Sequence, residues 1–278
     1  MTKFVNNVKT AVFLGLLFGL ILLAGQLLGG TRGLLMALIL GGAMNVFVFL
    51  FSDKLALASM GGQRVDEQTA PDLIQMVSRL ADNAGLPMPK VYVCPQEAPN
   101  AFATGRSPRH AAVAVTRGAL KLLSYDELEG VIGHELAHVK NRDTLISTVA
   151  ATVAGALNYL GWMFMFSGGE RDRAVHPLAG VLLVLLAPIA ALLVQMAISR
   201  SREFVADADG AAIVGTPAGL ISALRKLDAV AKRIPMENEM PAQNHMFIVA
   251  PLTGASMARL FSTHPPTEAR IRKLQELA

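Results

Sequence analysis

The chain has 278 residues, 53% of them hydrophobic and only 17% charged, with a mean hydropathy of +0.44. That balance is too apolar for an ordinary soluble domain of this length, so part of the chain is expected in lipid. The net charge of +4 includes no run of Lys and Arg interleaved with aromatics, which excludes a nucleic-acid surface, and the single cysteine, Cys94, excludes an internal disulfide.

In chain order, the first features are two apolar stretches at about 8–29 and 33–51, each long enough to cross a bilayer core. The first is too long for a secretory signal and lacks its small-residue cleavage site, and only Gly30, Thr31 and Arg32 separate it from the second. The two are therefore expected to form a retained membrane hairpin. Pro71 to Ala84 then reads as an amphipathic helix, with Leu73, Met76, Val77 and Leu80 on one side and Gly85 ending it. Short strands are expected at Lys90 to Cys94, Ala101 to Thr104 and Ala111 to Val115, and Cys94 fits a small buried hydrophobe. The small residues of Asn100, Ala101, Phe102 and Ala103 suit an exposed edge strand that an extended peptide could join through its backbone.

Ser124 and Glu127 form a capping-box signature that opens a helix carrying His134-Glu135-Leu136-Ala137-His138. Two histidines four apart present both imidazoles on one helical face, where they can hold one zinc ion, and Glu135 between them is placed as the base for a water on that metal. A site that does chemistry needs three protein ligands and an open position. Asn141 and Thr144 stand where a metzincin would carry glycine and histidine, so the third ligand must come from elsewhere. If the helix ran on from His138 to Leu145, it would lead within about 10 Å into a third apolar stretch at about 145–166, followed by a fourth at about 178–198. Just beyond, Glu203 and Asp207 are four apart and share a helical face. That spacing lets Glu203 bind metal while Asp207 accepts a hydrogen bond from the far nitrogen of a ligand histidine. Read alone, without the upstream motif, the pair is better explained as a solvated acidic face paired with Arg200 and Arg202.

The helix of Glu203 is expected to reach Ile213, with another from Pro217 to Ile234, an irregular segment from Pro235 to Gly254, and a basic amphipathic helix from Pro266 to Leu277. His264, in Thr263-His264-Pro265-Pro266, lies in a stiff extended segment and is a candidate donor to a developing oxyanion.

The membrane hairpin, H-E-L-A-H before a third span, S-R-S-R-E-F-V-A-D after a fourth, Asn100-Ala101-Phe102-Ala103-Thr104-Gly105 upstream and Thr263-His264-Pro265-Pro266 near the end together resemble the HtpX family of bacterial membrane zinc endopeptidases. More distantly, the chain is similar to the membrane proteases that trim prenylated C-a-a-X proteins. The resemblance covers nearly the whole chain. It implies quality control of damaged or misfolded proteins at the cytoplasmic membrane, His134, His138 and Glu203 as ligands and Glu135 as base.

The expected fold is a mainly α membrane protein, with four transmembrane helices and a zincin-like α+β protease domain carrying a small sheet. Residues 1–52 would form the first hairpin, 53–144 the first part of the protease domain, 145–198 the second hairpin and 199–278 the second part. Lys3, Lys9, Lys54, Arg64, Lys140, Arg142, Arg200 and Arg202 flank the spans on one side, against Arg32, Arg171 and Arg173 on the other. The positive-inside rule then places the zinc domain in the cytoplasm. One Zn2+ per chain, protein or peptide substrates and the lipid bilayer are the expected partners, and the sequence sets no oligomeric state. The competing expectation is a zinc-stabilised membrane scaffold or chaperone without proteolysis. A closed structural site would need a fourth ligand, and neither Cys94 nor any further histidine stands near the motifs.

Overall fold

The computed structural model describes residues 56–143, 202–231 and 265–277, with Arg200 and scattered positions between 8 and 54. The chain divides into two compact units, one of Met1–Leu50 and Ile146–Ile198, the other of Phe51–Leu145 and Ser199–Ala278. Among the described residues, no helix is long and apolar enough to cross a membrane. The expected spans at 145–166 and 178–198 lie outside the described residues. In the two earlier stretches the isolated described positions are helical.

The second unit is built on a four-stranded mixed sheet. Its strands are β1 (Gln63–Val65), β2 (Lys90–Cys94), β3 (Ala101–Thr104) and β4 (Ala112–Thr116), in the order β1-β2-β4-β3. The central pair, β2 and β4, is parallel, and both outer strands run antiparallel to their neighbours. The helices are α1 (Pro71–Ala84), α2 (Arg117–Leu122), α3 (Tyr125–Asn141), α4 (residues 202–214), α5 (Ala218–Ala231) and α6 (Thr267–Gln275).

Alternation along the strands decides what each face of the sheet meets. Val91, Ala101, Val113 and Val115 point into the main core with Leu73, Met76, Val77 and Leu80 of α1 and Val131, Ile132 and Leu136 of α3. Cys94, Phe102, Ala112 and Ala114 point to the opposite face, where Leu57 and Met60 cover them. β3 is thus an edge by topology, yet Asn100, Ala101, Phe102 and Thr104 are buried, and among its residues only Ala103 is partly open. The expectation of an exposed edge is corrected on this point: both faces of the strand are covered, and a single backbone rim remains.

α1 has the expected bounds and ends on Gly85, whose φ of 68° lets its amide reach back to the carbonyls of Ala81 and Asp82. Cys94 is buried, and burial raises its thiol to about 11, as suits a packed side chain rather than a reactive one. β1 and α2 have no counterpart in the sequence reading. β1 is three residues long with an exposed pattern, and it exists because Gln63, Arg64 and Val65 pair with Val93, Tyr92 and Val91.

Candidate active site

The Ser124 capping box starts α3. The Ser124 amide donates to Glu127 Oε2 at 2.8 Å, and the Glu127 amide donates to Ser124 Oγ at 3.4 Å. Glu127 then reaches across to α5, accepting from Ser222 Oγ at 2.6 Å and Lys226 Nζ at 2.7 Å. Burial pushes its carboxyl up, but these donors and the Lys226 charge outweigh burial and lower it from 4.5 to about 2. The helix that carries the chemistry is therefore fixed at its start to the helix behind it.

Glycines let the helices meet at the motif itself. A Cβ built on Gly210 of α4 would lie 2.8 Å from both the N and the Cα of His134. One on Gly130 would overlap the backbone of Leu220, and one on Gly219 the carbonyl of Asp126. α4 can lie on α3 at the depth of the histidines only because position 210 has no side chain. This seats Glu203, seven residues earlier, opposite His134 and His138.

Three donor residues converge there. His134 Nε2 and His138 Nε2 are 3.1 Å apart, Glu203 Oε1 is 3.4 Å from His138 Nε2, and Glu203 Oε2 is 3.6 Å from His134 Nε2. A tetrahedral zinc with bonds of about 2.0–2.1 Å holds its ligand atoms about 3.3 Å apart, and one ligand atom from each of the three residues lies within 4.8 Å of the other two, close enough to share one such ion. The electrostatics agree. Burial disfavours a charged His138, but Asp143 and Glu203 beside it outweigh burial and hold its pKa well above the ordinary value; the same carboxylates favour a metal cation. Among the described residues, His134, His138 and Glu203 are the one cluster of His, Cys, Asp and Glu side chains able to hold a metal.

Glu135 is buried beside this cluster and accepts a hydrogen bond from the Ala103 amide at 2.7 Å on Oε2. The bond ties β3 to the motif helix. It also shows that the Ala103 N–H points away from β4, along the free rim of the sheet. Of the sequence-predicted residues, His134, Glu135, His138, Glu203, Asp207 and the 100–103 strand all lie in this one region. His264 lies outside the described residues.

Asp207 accepts from His134 Nδ1 at 3.0 Å and is gripped by Arg270 of α6, with Nε on Oδ2 at 2.9 Å and Nη2 on Oδ1 at 2.6 Å. Burial raises the Asp207 carboxyl, but Arg270 and His134 outweigh it and lower it to about 2. Burial alone would lower Arg270, yet Asp207, Glu203 and Glu135 raise it. Glu203, Asp207 and Arg202 are all buried, so the solvated acidic face is ruled out.

Two features differ from the sequence reading. α3 does not run on towards Leu145: it ends at Asn141, and Arg142 takes the left-handed conformation, φ 56°, with its amide capping the carbonyls of His138 and Val139. That turn brings Asp143 back under His138, whose Nδ1 donates to Asp143 Oδ2 at 2.8 Å. The other new residue is Arg270, distant in sequence and placed only by the docking of α6.

A model of peptidase family M48 matches residues 67–278. A protease HtpX homolog of Persephonella marina is 50% identical over 281 residues, covering 98% of this chain and 98% of the relative. The corresponding homolog of Desulfatibacillum aliphaticivorans is 52% identical over 276 residues, covering 97% of this chain and 89% of the relative, and that of Burkholderia thailandensis is 51% identical over 277, covering 98% and 97%. The crystal structure of S. mikatae Ste24p superposes with a TM-score of 0.56 at 18% identity, covering 98% of this chain and 66% of that one, a likeness of fold. The small mixed sheet and the helices around it are thus a zincin-like peptidase domain. With the family model covering most of the chain and relatives half identical along its length, the protein belongs to peptidase family M48 and is a metalloprotease.

Proposed function

We propose that the protein is a zinc endopeptidase of the bacterial cytoplasmic membrane that hydrolyses peptide bonds of misfolded or damaged membrane proteins. The observation that carries this reading is the convergence of His134, His138 and Glu203 on one point, with Glu135 beside it and the rim of β3 alongside. Zinc held by His134, His138 and Glu203 would polarise the scissile carbonyl and acidify water. Glu135 takes the proton from the attacking water and delivers it to the leaving amine. The Ala103 amide, donating to Oε2, holds that carboxylate in place. An extended substrate would lie along β3 at residues 100–103, pairing with the rim of the strand at the partly open Ala103 through its backbone carbonyl, since its amide is engaged by Glu135. His264 is proposed as a further donor to the developing oxyanion.

Membrane residence is supported by the four apolar stretches and by the exposed apolar side chains of the first two. Val8, Val12, Leu35, Ile39, Val46 and Phe47 are all exposed, a pattern that suits contact with lipid. The flanking basic residues favour a cytoplasmic protease domain, assembled from 53–144 and 199–278.

Metal analysis combined with peptide cleavage tests the reading. Wild type should hold one zinc per chain and cleave, whereas Glu135→Gln should keep the zinc and lose about 10²- to 10⁴-fold in turnover. Full proteolysis by Glu135→Gln would overturn the mechanism, and stoichiometric zinc without cleavage by the wild type would point to the scaffold instead.

A further inference from the structure

Each histidine of the motif donates from Nδ1 to a buried aspartate, and each aspartate is paired in turn with a buried arginine. His134 leads to Asp207 and Arg270, and His138 leads to Asp143 and Arg202. In the second chain Asp143 lies outside both sequence motifs. Asp143 stands two residues beyond the end of α3 and reaches back under His138 because Arg142 adopts φ 56°. Arg202 comes from the first turn of α4, across 59 positions of sequence, and bonds Oδ1 of Asp143 while Oδ2 receives the imidazole. The side chains of both Arg202 and Asp143 are almost wholly buried, at 7% and 6% exposed.

We propose that Asp143 is a positioning residue for His138 and that Arg202 holds Asp143 in place, so that the orientation of one metal ligand depends on the helix that supplies another. The proposal rests on the reading of His134, His138 and Glu203 as ligands.

The two histidines need different support. His134 is enclosed by α4 and α6, with its side chain 1% exposed, whereas His138 sits in the last turn of α3 with its side chain 15% exposed. Packing alone confines the second ring less. A hydrogen bond from Nδ1 to a fixed carboxylate supplies what packing does not: it sets the ring angle, places the proton on Nδ1 and leaves the Nε2 lone pair facing His134 and Glu203. A lone aspartate after a helix end could swing. Arg202 prevents this, and because Glu203 follows it directly, the residue that grips the end of α3 and the residue that completes the donor set move as one piece of backbone. A buried ion pair of this kind is a weak source of net stability compared with apolar packing, while breaking it from one side is costly. Its value here lies in geometry.

The test uses the full-length chain as wild type, Asp143→Asn, Arg202→Met and the double variant. Zinc affinity is read by chelator competition, and ligand geometry by the visible spectrum of the cobalt(II)-loaded protein. Asparagine keeps the shape of Asp143 but cannot accept from both His138 and Arg202, since one of its two polar atoms is now a donor. Asp143→Asn should weaken zinc binding about 10- to 100-fold and change the cobalt spectrum. Arg202→Met should weaken binding less, and the double variant should bind no worse than Asp143→Asn, because Arg202 acts through Asp143. Wild-type affinity together with a wild-type cobalt spectrum in Asp143→Asn would overturn the proposal, even if that variant melts earlier. Should Asp143→Asn fail to fold, the double variant, which removes both buried charges, is measured in its place against the same two outcomes. A wild type that binds no stoichiometric metal would overturn the ligand reading itself rather than this inference.

Discussion

His134 and His138 stand one helical turn apart on the same helix, yet they are held in different ways. His134 is gripped from a distance: α4 lies against it through Gly210, Asp207 takes its Nδ1 proton, and Arg270 arrives from the last helix to hold Asp207 with two hydrogen bonds. His138 is held mainly by its own neighbourhood, through a left-handed turn at Arg142 that returns Asp143 to it. The ring deep in the core is thus positioned by tertiary docking, and the ring near the rim by a local turn with one long-range clasp. The same chemical need, an oriented imidazole, is met at both rings by a hydrogen bond from Nδ1 to an aspartate, with packing added where the fold is dense.

The largest effects should come from the ligands themselves. His134→Ala, His138→Ala and Glu203→Ala should each lose stoichiometric metal, read by metal analysis. The comparison sharpens when the first two are melted in the presence of chelator. His134→Ala removes from a dry site one of the two donors on Asp207 Oδ1, leaving Arg270 Nη2, and a hydrogen bond to a charged group is worth about 1.5–3 kcal/mol. His138→Ala opens a partly solvated position and should lose less. Equal destabilisation by the two variants would erase the distinction between core and rim.

Much of this site was legible in the sequence, and the remainder was not, for physical reasons. The four-residue spacings of His134 with His138 and of Glu203 with Asp207 are properties of one helical face, and Ser124 with Glu127 is a local capping pattern, so short-range geometry reveals them. β2 and β3 were visible because Val91, Tyr92, Val93, Ala101 and Phe102 alternate between the two apolar faces of the sheet. Asp143 was hidden because its role depends on a positive φ at Arg142, which is not a glycine and gives no signal. Arg202 was legible only as a basic charge beside the acidic pair and Arg270 only as part of a basic terminal helix, since a buried arginine is distinguished by a partner that tertiary packing brings to it. β1 exists by pairing with β2, and its own three residues carry no strand pattern of their own.

Arg270 is where the long-range half of the comparison can be broken. Arg270→Met preserves bulk but strands the Asp207 carboxylate in the core, and removing one member of a buried pair costs about 3–5 kcal/mol. Asp207→Asn should instead weaken metal binding by about 10- to 100-fold, because the amide replaces the acceptor behind His134. Denaturant unfolding of the first and chelator competition on the second separate holding the fold from orienting the ring. If Arg270→Met unfolds at the wild-type midpoint, α6 is not the clasp on His134 described above.

The smallest effect is expected at the other end of α3, and it asks whether the helix start and the metal end are independent. Glu127→Gln keeps an N3 side chain able to complete the capping box with Ser124, but removes the charge that meets Lys226. Lys226 is 44% exposed, so solvent and salt screen the pair, and the loss at neutral pH should be about 1–2 kcal/mol. The sign of its pH dependence follows from the lowered pKa. A carboxyl at about 2 in the fold against 4.5 when free contributes its stability fully above pH 4.5 and loses it as the pH falls through 2. Thermal melts of wild type and Glu127→Gln should therefore differ by a constant margin above about pH 5, converge towards pH 2, and differ less in high salt. Zinc affinity should stay at the wild-type value, because the histidines take their orientation from Asp207 and Asp143. A fall in affinity alongside the fall in stability would mean that strain at the start of α3 reaches its ligands, and that Lys226 belongs to the same mechanical unit as Arg270 and Arg202.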